Sequence, residues 1–253
     1  MMEKTSHLLA RDIAALVDVP KPVATAMAAH QAATHASVDE KFDPALECMT
    51  IAPDDVAALV TRMAQNRVLR AEHDPARAEV AELLARRIGR ELAANGAEIL
   101  ESLRPIFTDA AKAFTTAAAS LPADLRPEAL VRAGSDVLAR HERATAAAAT
   151  LGKLRTLRGE LASLGVRAAG DRRIEQATRV LDIENLAAVE KLQQAPTESH
   201  LSPWSSWLAV PGVSLAWPSL AEQSATIARL TAAMPVRPPK KDPTIRLRGP
   251  KVA

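Results

Sequence analysis

Six histidines, one cysteine and a pair of adjacent acids are the first places in this chain to look for chemistry. The histidines are His7, His30, His35, His73, His141 and His200. Two imidazoles on one helix face need a spacing of about three or four residues to share a metal, and no pair here has it. Cys48 is the sole cysteine, so no internal disulfide and no zinc–thiolate cluster can form. Beside Met49 and Ile51 it reads as a small buried hydrophobe rather than a nucleophile. Asp54 and Asp55 invite a general-acid or metal-ligand role. Yet Pro53-Asp54-Asp55 also forms a helix start, where carboxylates are favoured by free amides and the helix dipole. A phosphate-binding glycine loop, Gly-x-Ser-x-Gly and His-Glu-x-x-His are all missing from the sequence. The expectation is a protein that is not an enzyme, with no cofactor and no metal.

Recognition chemistry is concentrated in two late stretches. Trp204, Trp207 and Trp217 all lie between Leu201 and Leu220, and no charged residue occurs between Glu198 and Glu222. Pro203, Pro211 and Pro218 forbid a continuous helix there. Such a segment must bury itself, either as a flap sealing one end of the fold or as a docking surface, since tryptophan is enriched at interaction hot spots. The second stretch is the tail, residues 235–253, with Arg237, Lys240, Lys241, Arg246, Arg248 and Lys251 against Asp242. Its net +5 leaves −3 on residues 1–234 of the overall +2. Rich in proline, that tail cannot fold alone and is expected to be extended. The three tryptophans and six tail cations are the candidate partner-binding residues, the partners being other protein subunits, with nucleic acid a further candidate for the tail.

The elements that must carry these stretches are helical. Aromatics make up 2% of the chain and β-branched alternation is nearly absent, so the core must be Leu, Val, Ile and Ala. The sequence predicts an all-α fold organised around a long antiparallel helical hairpin, about 76–120 and 127–164, within a helical bundle. Asp74-Pro75 suits an N-cap followed by a first helical residue. The apolar stripe Val80, Leu84, Ile88, Leu92, Ile99, Leu103, Phe107, Phe114 then keeps to one helix face. Pro105 is expected to kink this arm. In the second arm Leu151, Leu154 and Leu157 break the heptad, while Gly134, Ala144 and Ala148 are small enough for close approach of the partner helix. His141 falls on the same seam, as a satisfied polar core residue or as a pH-sensitive contact.

Around the hairpin, Ser6 is the expected N-cap of a first short helix, and a second runs from about Val23 to Thr34. Ser37-x-x-Glu40 and Asp43-Pro44 are further start signals, and a helix from Pro53 reaches about Ala71. A third bundle helix is expected from Asp171 to about Gln194, with Arg172-Arg173 on its solvated face. Ser219-x-x-Glu222 is a capping-box pattern opening a last short helix. The expected organisation is residues 1–52 as short helices, 53–196 as the bundle, 197–234 as the Trp-containing irregular segment with its short helix, and 235–253 as the tail.

Residues 9–28 resemble a LacI-like helix-turn-helix. In the stretch Asp12 to Met27, Ala14 matches the small residue that lets the helices touch, and Ile13, Val17, Val19, Ala24 and Met27 match the apolar positions around it. Asp18 stands where the turn usually has glycine, Pro22 opens the would-be recognition helix, and Lys21 is the only cation between Arg11 and Lys41. The resemblance implies a DNA reader, with the hairpin as its oligomerisation element.

Arg11 and Asp12 interrupt the only early apolar run, so no signal peptide is expected, and no apolar window is long enough for a membrane span. The reading that unites these features is a structural or adaptor subunit of a larger assembly, cytoplasmic or virion-associated. A phage or prophage virion or assembly component fits this style of construction.

Overall fold

The computed structural model describes residues 3–35, 56–122, 125–194, 201 and 203–234. Cys48, His200, the start signals at Ser37, Asp43 and Pro53–Asp55, and all six cations of the tail lie outside the described residues. Among the described residues the fold is all-α, with ten helices and two three-residue strands. The elements are α1 (Glu3–Ala14), α2 (Lys21–Thr34), α3 (Val56–Ala94), α4 (Gly96–Ala118), α5 (Pro127–Ala133), α6 (Ser135–Ser163), α7 (Arg172–Ala177), β1 (Leu181–Ile183), α8 (Leu186–Gln194), α9 (Trp204–Leu208), β2 (Val213–Leu215) and α10 (Leu220–Ala232).

The hairpin exists, and α4 and α6 are its packed arms. Leu100, Leu103, Phe107 and Phe114 of α4 meet Leu151, Leu154, Leu157 and Leu161 of α6 in one buried cluster. Toward the hairpin's turn the seam changes to Ala110, Ala111 and Ala117 with Ala144, Ala147 and Ala148. Small side chains there let the helix axes approach where bulky ones would hold them apart.

Each arm is divided differently from the sequence expectation. The first is not one helix from residue 76. Instead α3 runs unbroken through Asp74-Pro75, which therefore start nothing, and ends at Ala94. The Asp74 carboxylate pairs with Arg77 at 3.2 Å instead of capping. Residues 74–80 are exposed all round, so the Pro75 ring lies on a solvated stretch of the helix and disturbs no buried packing. The break falls at Asn95, whose Nδ2 donates to the Glu91 carbonyl at 2.8 Å. Pro105 lies within α4, and Leu103 and Phe107 on either side of it are both buried.

The second arm is cut at Gly134, whose φ of 97° ends α5 and admits α6. A Cβ at Gly134 would meet nothing within 4 Å, so its role is conformational and not the close approach expected. Close approach belongs to Gly96. A Cβ there would lie 2.3 Å from Val166 Cγ2, in the loop that follows α6.

The expected third bundle helix is absent as such. Asp171 does cap, accepting from the amides of Arg173 and Ile174, but α7 stops after six residues. Leu181–Ile183 then form a strand with the buried-exposed-buried pattern of a half-covered sheet. β1 pairs antiparallel with β2, Leu181 opposite Leu215 and Ile183 opposite Val213. Asn185 Oδ1 accepts from the Ala188 amide, opening α8. The Trp-containing segment supplies the short α9 and then β2, and Ser219 with Glu222 forms the capping box of α10 in both directions.

At the N-terminus α1 and α2 lie on α3, and α1 also touches α6. Ser6 is not an N-cap. It lies inside α1, buried, where a Cβ on Gly89 of α3 would come within 3.0 Å of its hydroxyl oxygen. One cluster of buried residues runs from Leu9 to Leu230, joining the N-terminal pair, the hairpin and the Trp-containing segment in a common core.

Candidate functional site

The open end of the hairpin, opposite its turn, holds the densest polar chemistry of the described residues. Arg158 occupies a core position of α6 and is 2% exposed. Its Nη2 donates to the Pro218 carbonyl at 2.7 Å and to Gln223 Oε1 at 3.1 Å. Gln223 Nε2 in turn donates to the Glu175 carbonyl at 2.8 Å. The Glu175 carboxylate, also buried, accepts from Arg179 Nε and Nη2, both at 2.8 Å. This chain of bonds ties α6, α7 and α10 together.

Burial pushes Arg158 down to about 10, with Arg179 and Arg104 adding repulsion and Glu175 and Glu101 opposing them. It therefore remains a cation at neutral pH. Among the described residues Arg158 Nη1 has no hydrogen-bond partner, and the Trp217 ring lies 4.6 Å from the guanidinium carbon. A π face is a suitable neighbour for a desolvated cation.

The three tryptophans divide between structure and surface. Trp217 is 5% exposed, donates its indole N–H to the Leu100 carbonyl at 2.8 Å and packs 5.1 Å from Phe107. Trp204 is 1% exposed and meets Trp207 edge-on at 5.2 Å. Both belong to the buried core cluster. Trp207 remains half-buried, with Arg155 lying 5.3 Å over its ring.

Beside Trp207 opens a cleft of about 500 Å³ between α6, α7 and α8. Arg155, Arg173 and Arg179 line it, with Gln176 and Gln193, and among the described residues its lining contains no carboxylate. Sequence reasoning missed these arginines. A signal was present: residues 153–179 carry seven cations (Lys153 and six arginines) against Glu160, Asp171 and Glu175. The signal is spread along the sequence, because these arginines fall on α6, the six-residue α7 and the turn before β1.

A groove of about 930 Å³ runs along the outside of the hairpin between α4 and α6. Ala110, Ala113, Ala117, Ala146 and Ala147 form its bed, Asp109 and Lys112 stand on one edge, and Arg140 and Arg143 on the other. Near the same end of the hairpin Val131 and Leu138 are exposed.

The remaining sequence candidates are scattered. His7 and His30 stack at 4.9 Å between α1 and α2, and burial followed by the neighbouring His7 lowers the pKa of His30. His141 is half-buried, and its Nε2 has no partner among the described residues. No group of three or more metal-ligating side chains occurs among the described residues. In the N-terminal pair Ile13, Val23, Ala10 and Ala26 are buried, while Ala14 and Ala24 are exposed. None of the described helices is long and apolar enough to cross a membrane.

The sequence matches no protein-family model, and neither a curated protein nor a solved structure matches it.

Proposed function

We propose that this protein is a non-enzymatic structural or adaptor subunit that assembles through the outer face of its helical hairpin. The observation that carries the reading is the uncovered alanine groove between α4 and α6. Small residues along two adjacent helices make a bed into which further helices can pack closely. The occupant we assign is a second copy of this chain. One edge of the groove supplies Asp109 and the other Arg140 and Arg143. A two-fold pairing sets Asp109 of each copy, which shares its edge with Lys112, against Arg140 or Arg143 of the other in an isologous interface. Val131 and Leu138 extend the apolar area toward the hairpin's turn.

A phage or prophage particle is one setting for such a subunit, and genes for capsid or tail parts beside its own would support it. The basic tail, residues 235–253, would lace onto a neighbouring subunit or contact nucleic acid.

The test is the solution mass of the full chain, with and without duplex DNA, compared with an Ala113→Arg/Ala146→Arg variant. Both alanines are exposed and arginine is a good helix former, so the variant should fold. The expected result is a DNA-independent oligomer that falls to monomer in the variant. A strict monomer at all concentrations would sink the self-assembly reading. A dimer appearing only on duplex, and lost on removal of residues 1–36, would make the helix-turn-helix reading the better one.

A further inference from the structure

The geometry points to a second binding site, independent of self-association: the arginine cleft between α6, α7 and α8 takes an acidic peptide segment, one carboxylate-bearing residue beside an apolar one. The cationic part of the cleft is built from separate elements. Arg155 comes from α6, Arg173 from α7, and Arg179 from the turn before β1. Glu175 holds Arg179 from behind through Nε and Nη2, which orients that guanidinium while leaving Nη1 outside the bidentate pair. Arginine forks match carboxylates in plane and spacing, and a preset fork loses less freedom when it binds.

Much of the remaining lining is apolar. Val180, Leu181, Val189 and Leu192 give it an aliphatic wall, and Trp207 closes one side. Gln176 and Gln193 can each donate to and accept from a peptide backbone. A cavity of about 500 Å³ suits one or two side chains and not an extended polymer track.

Nucleic acid fits less well. Base recognition on a single strand uses open aromatic faces as stacking platforms. Among the described residues Trp207 is the one aromatic in the lining, and Arg155 already lies over its ring while Trp204 abuts it edge-on.

The probe is an acetylated, amidated pentapeptide of leucine and glutamate, alternating two leucines with three glutamates, titrated into the full chain and followed by the Trp207 indole N–H resonance. Its counterpart has every glutamate replaced by glutamine. The glutamate peptide should shift that resonance and saturate, and the glutamine peptide should not. Arg155→Gln/Arg173→Gln should weaken binding roughly tenfold or more, as expected for loss of charge-assisted hydrogen bonds. Both residues are exposed, so the melting temperature should stay near that of the parent. Gln176→Glu, also exposed, should weaken binding by repulsion. Equal binding of the two peptides, or an affinity unchanged in both variants, would overturn the assignment. So would a twelve-nucleotide single strand that outcompetes the peptide and depends on the same arginines, which would give the cleft to phosphates. A monomeric protein that still binds the peptide would refute self-assembly and leave this site standing.

Discussion

Trp217 lies over the Arg158 guanidinium at 4.6 Å while its own indole N–H donates to the Leu100 carbonyl at 2.8 Å. One side chain thus covers a buried cation with its face and pins the segment before α10 to α4 with its edge. The pair joins two parts of the chain that lie about sixty residues apart, and Gln223 and Glu175 extend the link to α7.

Removing that cation should be costly. Arg158→Ala leaves Gln223 Oε1 and the Pro218 carbonyl without their donor and opens a cavity beneath Trp217. The expected loss, from the cavity and the two unsatisfied acceptors, is about 3–5 kcal/mol in urea unfolding. Arg158→Met preserves volume and removes the desolvated charge, so it should lose clearly less. Equal losses in the two variants would show that the hydrogen bonds alone matter.

The two helix-breaking glycines should separate in a substitution test. Gly96→Ala drives a methyl into Val166 and should destabilise by about 1–3 kcal/mol. Gly134→Ala meets open space but must adopt φ near 97°, and should lose about 1 kcal/mol or somewhat more from strain alone. Adding Val166→Ala should recover part of the loss at Gly96 and none of that at Gly134. A double-mutant cycle in denaturant reads the difference.

Acid should loosen the N-terminal pair through His30. Its folded pKa lies below the ordinary 6.5, because of burial first and then the neighbouring His7. The unfolded chain therefore takes up a proton first as pH falls, and the stability present above 6.5 is lost as the pH drops toward the folded value. The urea midpoint should decline from about pH 7 to pH 5, and His30→Gln should flatten that slope. A parallel slope in the variant would place the titration elsewhere.

Glu160 titrates with the opposite consequence. Burial and then the proximity of Asp12 raise its pKa, so its charge is unfavourable in the fold at neutral pH and is relieved as pH falls through the raised value. Because the group is only half-buried, Glu160→Gln should stabilise by no more than roughly 0.5 kcal/mol at pH 7, with the gain shrinking in acid. A destabilised variant would mean that the carboxylate has a favourable partner at the α1–α6 contact.

Local patterning determined the elements whose cause lies within a few residues. Leucine and alanine periodicity specified α4 and α6, and the capping chemistry at Asp171 and Ser219 specified two helix starts. Pro211 and Pro218 together ruled out a helix through the β2 region. Only the tertiary structure decided which punctuation mark was used. Asp74-Pro75 and Gly96 are all breakers by type. Pro75 sits on an exposed stretch and α3 continues through it; Gly96 sits where Val166 occupies the space of a Cβ, and the break falls next to it at Asn95. Likewise 181–183 became a strand because residues 213–215, some thirty positions later, offered a partner edge. Tertiary packing also separated the tryptophans, placing Trp204 and Trp217 in the core and leaving Trp207 at the cleft. The arginine cleft has the same origin: its cations come from three elements whose meeting depends on the buried bonds among Arg158, Gln223 and Glu175. Periodicity along one chain records which face of a helix is apolar, but the partner that covers that face is set by contacts far apart in sequence.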